Sequence, residues 1–387
     1  MSLRERQLMR FVIGIGLVSF FADFTYEGGR SILGPYFAFL GASPILVGLV
    51  SGVGEFLGYA IRLFSGRYVD RSRNYWLLIA PGYILNLLSV PVLGLVSNLT
   101  PAIALTFTER LGKGLRNPPR DTLLSQAGEE IGHGRAFGIH ELLDQSGAFL
   151  GPLAVAGAVA YGSYRFGFAI LLFPGLLSLA LLCRAKKLAP APKPTTSIDG
   201  STSLSNTYFR YLVFSALAVM GFANFALVSY HLAVAHLLPP TYIPLLYALA
   251  MGVDALAALG IGRLFDQLGF RLLYAAPLLI LLSADLLFTG KGLAAIALGA
   301  VFWGGAMGIQ ETAMRAGVAH LTPEARRAGA YGLFDTVVFG FAWMIGSGLM
   351  GWFYSQSSVW VVLFSAILQV VSIPFLLWTL AGARRRA

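Results

Sequence analysis

Charge is what this sequence has least of. Asp, Glu, Lys and Arg together make up 12% of its 387 residues, about half the share of an ordinary soluble domain. With 57% hydrophobic residues and a mean hydropathy of +0.72, that shortage excludes a soluble globular chain. Cysteine is nearly missing too. Cys183 stands alone, which excludes an internal disulfide and a CxxC metal site. Short strands of alternating polarity are absent, so a membrane barrel is not expected and helices must satisfy the backbone inside lipid. There is no phosphate-cradling glycine loop, so direct ATP use is not expected. His140 has Glu141 and Asp144 nearby but no nucleophile set. The chain reads as a non-enzyme with no cofactor and no metal site. The net charge of +10 comes from short basic patches between apolar runs, so no nucleic acid partner is expected. The basic start MSLRERQLMR precedes an apolar run too long for an h-region, and no cleavable signal peptide is expected.

What is present is a series of long apolar segments. Twelve are expected near 9–38, 44–65, 75–96, 100–126, 135–161, 165–184, 208–237, 241–262, 271–289, 292–318, 327–354 and 358–381, each about the 20 residues that a spanning helix needs. Arg and Lys collect on one side: Arg4, Arg6 and Arg10, Arg67, Arg71 and Arg73, Arg184, Lys186, Lys187 and Lys193, Arg263 and Arg271, Arg326 and Arg327, and Arg384 to Arg386. Both termini are therefore expected in the cytoplasm. The Pro-, Ser- and Thr-rich stretch 185–206 reads as a cytoplasmic linker. It separates an N-terminal six-helix bundle (1–184) from a C-terminal one (207–387). GRYVD at 66–70 is echoed by GRLFD at 262–266, and RAFG at 135–138 by GAYG at 329–332, at nearly one shift. The fold class is all-α: twelve transmembrane helices in two pseudo-symmetric six-helix bundles. Parallel repeats of this kind occur in secondary transporters, with a site at the repeat interface.

Against this background the stretch FADFTYEGGR at 21–30 is anomalous. Asp23, Glu27 and Arg30 are spaced four and three, so they share a helix face. Each ionised side chain at mid-bilayer costs about 2.5–3.5 kcal/mol on insertion scales, so the three must face protein or water. Glu55 lies midway along the second segment, with Arg62 seven residues below on the same face. The fourth carries Glu109, Arg110, Lys113, Arg116 and Arg120, with the bases near one stripe; Pro118 and Pro119 are expected to bend the chain before Arg120. The fifth adds His140, Glu141 and Asp144. Buried charges survive when paired, and a layer of Arg62, Arg116, Arg120, Asp121, His140 and Glu141 is open to a structural reading. A desolvated carboxylate can also take up a proton, which makes Asp23, Glu27 and Glu55, opposed by Arg110, candidates for proton coupling. The second half is poorer in charge, with Asp254, Asp335 and a helical pair Glu311 and Arg315. His231 and His236 are five apart and do not share a face, so a metal pair is not expected there. Phe20, Phe24, Tyr36, Phe222, Phe225 and Trp343 are candidates to wall an apolar pocket.

The chain resembles the major facilitator superfamily over essentially its whole length. GRYVDRSRNYW follows the second segment where that family has a Gly-x-x-x-Asp-Arg loop: Gly66, Asp70 and Arg71 match, while Arg73 replaces the usual glycine and Asn74 and Tyr75 replace basic positions. GRLFDQLGFR repeats it with Gly262 and Asp266. ERLGKG matches the fourth-helix Arg-x-x-x-Gly signal through Arg110 and Gly114. The fifth segment matches the antiporter pattern with Gly138, Gly147, Gly151 and Pro152, its closing glycine pair replaced by Val155 and Ala156. The resemblance implies alternating access, a gate latch at Gly66, Asp70, Arg71, Gly262 and Asp266, and a fifth-helix seal between the halves. It implies a central cavity lined by the first and fourth helices, holding Asp23, Glu27, Arg30, Arg110, Lys113 and Arg116. The expected function is proton-coupled export of a small organic molecule through the inner membrane, by a monomer whose partners are substrate, protons and lipid. The alternative is exchange or uptake of an organic anion or metal complex, motivated by the basic stripe. A rival from another class, a membrane-embedded lipid enzyme or flippase-like scaffold, predicts a cleft open to lipid and no proton flux.

Overall fold

The computed structural model describes residues 2–72, 74–190, 204–323 and 326–384, apart from the side chains of Asp70, Ala328, Ala383 and Arg384. Most of the linker expected at 185–206, together with Arg73 and the side chain of Asp70, lies outside the described residues. Among those residues there is no β-strand, and twelve helical stretches follow one another. They are α1 (Leu3–Phe39), α2 (Pro44–Ser72), α3 (Trp76–Leu93), α4 (Leu99–Ile131), α5 (His133–Tyr161) and α6 (Tyr164–Leu188). Then come α7 (Asn206–Val234), α8 (Tyr242–Leu268), α9 (Gly269–Phe288, opening with a 3-10 turn), α10 (Leu293–Leu321), α11 (Arg327–Gln356) and α12 (Ser358–Arg384).

Several helices outlast their apolar runs. The second segment was expected to end at 65, yet α2 continues to Ser72, so Gly66 and Arg71 sit on its last turns rather than in a loop. Gly262 and Asp266 likewise ride on α8, which runs to Leu268. Apolarity marks where lipid ends, whereas a helix continues as long as its backbone bonds can be made; Arg71 in the final turn also complements the negative helix end. Gly269, in the left-handed region at φ +57°, turns the chain from α8 into α9.

Other expectations fail in the opposite sense. The segment 208–237 is interrupted between Met220 and Phe225. Its freed groups are repaired by side chains, as a lipid-embedded backbone requires. Asn224 accepts from the Leu227 amide at 2.9 Å, Ser365 donates to the Gly221 carbonyl at 2.8 Å, and Trp303 Nε1 donates to the Ala223 carbonyl at 2.8 Å. Pro118 and Pro119, expected to bend the chain, lie inside α4, which continues through them to Ile131. Pro118 has no N–H for the Gly114 carbonyl one turn back, and the Ser65 hydroxyl donates to that oxygen instead at 3.2 Å. Single π-helical stretches widen α10 at Ile309–Ala313 and α11 at Asp335–Ala342, a deviation that often accompanies functional positions.

The contacts divide the chain into two compact units. One gathers residues 1–36, 57–196 and 240–248; the other gathers 37–56, 197–239 and 249–387. In the first, Leu8, Phe11, Val12, Ile15 and Val18 of α1 pack with Ile79, Tyr83 and Leu87 of α3 and Leu123 and Leu124 of α4 in one apolar core.

Candidate functional site

The charges that looked anomalous in the sequence converge in the first unit. Asp23 and Glu27 are each 7% exposed, and Arg110 is 6% exposed, so all three are turned into the protein. The α1 stripe, spaced i, i+3, i+4 and i+7, holds Asp23, Tyr26, Glu27 and Arg30. Opposite it, α4 presents Glu109, Arg110, Lys113 and Arg116. The two helices meet through ions. Lys113 Nζ lies 4.0 Å from Asp23 and 3.8 Å from Glu27, Arg116 Nη2 lies 3.5 Å from Asp23, and Arg30 lies 3.8 Å from Glu27. Tyr26 is the hub between them. Its hydroxyl accepts from Arg110 and, at 3.2 Å, from Arg30, and Lys113 Nζ stands 3.7 Å from its ring centroid. Such a cation–π contact adds about 0.5–2 kcal/mol, towards the upper end when desolvated.

Helix α3 supports this layer from behind. Gly82 and Gly112 let the α3 and α4 backbones touch; a methyl on Gly112 would meet the backbone of Asn86 and the carbonyl of Gly82. That approach lets Asn86 donate to Glu109 Oε1 at 2.6 Å, which holds Glu109 beside Arg110 Nε at 3.3 Å. It also sets the Arg116 guanidinium on the Tyr83 ring at 4.2 Å. Arg116 is fully buried, and none of its three guanidinium nitrogens makes a hydrogen bond. Tyr26, Arg30, Thr106, Glu109 and Arg110 also line a cavity of about 20 Å³, room for one water. A larger concavity in the other unit is apolar, lined by Phe209, Val213, Phe375 and Trp378 beside Arg210. None of the charge pairs described here contributes to its lining.

The layer read as structural splits up. Arg120, on α4 just beyond the two prolines, pairs with Asp121 at 2.8 Å and donates to Ser19 Oγ at 3.3 Å; Ser19 Oγ in turn bonds His140 Nε2 at 2.8 Å. Arg62 stacks on Tyr59 at 4.3 Å. Glu141 is exposed and accepts from Gln145, while Arg116 joins Asp23 instead. Glu55, grouped in the sequence with Asp23 and Glu27, is half-buried and belongs to the other unit.

The fifth-helix glycines serve α1. A methyl on Gly147 would collide with the Phe20 carbonyl, and one on Gly151 with the Phe24 carbonyl, whereas Gly138 has open space; Pro152 is buried beside them. The α5 backbone thus lies directly on the α1 segment that carries Asp23. Gly66 and Gly262 have open space too, and Arg71 and Asp266 are exposed.

In the second unit Arg315 pairs with Asp335 at 3.5 Å and Asp254 is buried. His231 bonds Tyr354 at 2.9 Å, while His236 is exposed in a turn with φ +52°. Of the aromatic candidates, Phe222 and Phe225 pack on Trp303, Trp343 packs edge-on against Phe222, and the Tyr36 hydroxyl bonds the Leu93 carbonyl. These are core contacts.

Two participants escaped sequence reasoning. Tyr26 stood inside the charged stretch, one residue from Glu27, and its i+3 spacing from Asp23 was a usable signal. Tyr247 of α8 donates to Glu27 Oε2 at 2.5 Å from 220 positions away. It sits in an ordinary apolar run that carries no signal at all.

The fold and this buried charge layer define a multi-pass membrane transport protein, and the comparisons agree. The chain belongs to the Major Facilitator Superfamily, whose family model matches residues 15–237. An uncharacterized protein of Mycobacterium tuberculosis is 40% identical over 359 residues, covering 90% of this chain and 87% of its own length. An uncharacterized MFS-type transporter of Methanocaldococcus jannaschii is 27% identical over 380 residues, 95% of this chain and 94% of its own. Among solved structures, the nucleoside transporter NupG superposes with a TM-score of 0.76 at 14% identity, over 96% of this chain and 99% of that one. A peptide transporter POT superposes with a TM-score of 0.75 at 15% identity, over 100% and 99%. The protein is a membrane transporter, not an enzyme.

Proposed function

We propose that this protein exports a small organic molecule by alternating access in exchange for protons, working as a monomer in the inner membrane with both termini in the cytoplasm. Residues 1–184 and 207–387 are the two halves in this reading, joined by a cytoplasmic linker at 185–206. One observation carries it: two buried carboxylates, Asp23 and Glu27, share a single ammonium, Lys113. A proton taken by either carboxylate releases Lys113 to the other, so proton occupancy and the charge offered to a substrate change together. Direction rests on the fifth-helix glycine pattern alone.

Proteoliposomes enclosing a pH-sensitive dye test this reading with a substrate panel. The wild type is expected to move protons when substrate is added. Glu27→Gln is expected to lower that proton flux about tenfold or more, the scale of one charge-assisted interaction, while substrate–substrate exchange continues. Undiminished proton flux in the variant would remove Glu27 from the coupling.

A second reading, exchange of an organic anion, is favoured by Arg116. Its buried guanidinium has unspent donors of the kind that bind carboxylate or phosphate in pairs. Anion exchange that ignores the proton gradient, and that Arg116→Lys abolishes, would select this reading over the first.

A further inference from the structure

The end of α8 is tied to the proposed coupling carboxylate. Tyr247 is fully buried, and its hydroxyl donates to Glu27 Oε2 at 2.5 Å. The residues around it, Ile243, Leu246 and Ala248, are buried as well. Residues 240–248 group with the first unit, whereas the remainder of the same helix, from Leu249 onward, groups with the second. The Tyr247–Glu27 bond thus joins the first turns of α8 to α1 within the first unit.

We propose that Tyr247 is a positioning residue for transport, whose phenol fastens the first turns of α8 to α1 when Glu27 is ionised and lets go when Glu27 takes a proton. This rests on the proton-coupling reading of Glu27 and deepens it by naming the element that responds. The charged groups described around that carboxylate are two cations and one competing anion. Arg30 of α1 and Lys113 of α4 each stand 3.8 Å away. Asp23 competes for Lys113, and Tyr26 is engaged by Arg110. An O–H···O⁻ bond to an ionised carboxylate is shorter and about twice as strong as its neutral counterpart. Protonation weakens the phenol bond and, in the same event, removes the anion that holds Lys113 and Arg30 near the α8 contact. A proton thus binds the undocked form better than the docked one, which is the condition for it to shift the population between them.

The test is hydrogen–deuterium exchange of the 242–250 segment in lipid nanodiscs across a pH series, corrected for intrinsic exchange, alongside the proteoliposome proton assay. In the wild type the segment is expected to be protected at neutral pH and to exchange faster as Glu27 protonates. Tyr247→Phe keeps the ring and removes the hydroxyl. It is expected to exchange about tenfold faster at neutral pH and to lose the pH dependence. Glu27→Asp, whose shorter side chain keeps a titrating carboxylate but withdraws it from Tyr247, is expected to unlock the segment as well. The double variant Glu27→Gln/Tyr247→Phe should match Tyr247→Phe, because without the hydroxyl the change at position 27 has no phenol bond left to weaken. Wild-type protection and pH profile in Tyr247→Phe would overturn the proposal. If Glu27→Gln still uncouples proton flux in that case, the coupling role of Glu27 survives and only the Tyr247 inference fails. Wild-type behaviour of both variants in both assays would remove both.

Discussion

Asp23→Ala is expected to destabilise the protein by about 3–5 kcal/mol, the usual cost of stripping one partner from a buried ion pair. The reason lies in Arg116, which is 0% exposed, makes no hydrogen bond through its guanidinium, and has Asp23 as its anion at 3.5 Å. Without Asp23 the cation keeps the face of Tyr83 but loses its paired carboxylate. Arg116→Leu should be milder, since Asp23 would still have Lys113 at 4.0 Å. The double variant Asp23→Ala/Arg116→Leu should recover most of the loss, because an apolar pair of similar volume removes the uncompensated charge. Thermal unfolding of the purified protein in detergent reads all three. A midpoint for Asp23→Ala no lower than that of Asp266→Ala, a change at an exposed carboxylate, would refute the buried-pair account.

The second large effect is steric. Gly147→Ala should cost about 1–3 kcal/mol or more, since the new methyl would overlap the Phe20 carbonyl of α1. The obstacle is backbone within a helix, so it cannot swing aside as a flexible side chain would. α1 must translate instead, and Asp23 and Glu27 travel with it. Transport should therefore fall together with stability. Gly138→Ala, in the same helix and the same sequence pattern, should leave both unchanged or gain up to about 1 kcal/mol from better helix propensity, because nothing stands within 4 Å of the added methyl. Unfolding midpoints and transport measured side by side separate the two glycines. Equal effects at Gly138 and Gly147 would contradict the packing described here.

That contrast shows how the sequence pattern and the packed structure divide the information. Three glycines matched one motif, yet of these only Gly147 and Gly151 lie against another backbone. Spacing says which residues share a helix face, but it does not say what approaches that face. Spacing was equally silent on the surroundings of Glu55, which lies half-buried in the second unit while Glu27 lies in the first. Where the charged faces of α1 and α4 were concerned, pattern sufficed. Three ionisable groups at helical spacing in an apolar run must turn inward, and positive and negative stripes at matching depth must find each other.

Membrane residence, all-helical construction and the inward charge of α1 and α4 are local consequences of composition and period, and they could be read along one strand of text. The repair of the α7 interruption, the unbroken passage of α4 through Pro118 and Pro119, and the bond from Tyr247 to Glu27 could not. Each depends on a donor, an acceptor or an obstructing atom supplied by a distant part of the chain: Ser65 for Gly114, Ser365 for Gly221, Tyr247 for Glu27. In a medium without water a backbone or carboxylate oxygen must be satisfied by protein, and the identity of its partner is settled by how the helices pack.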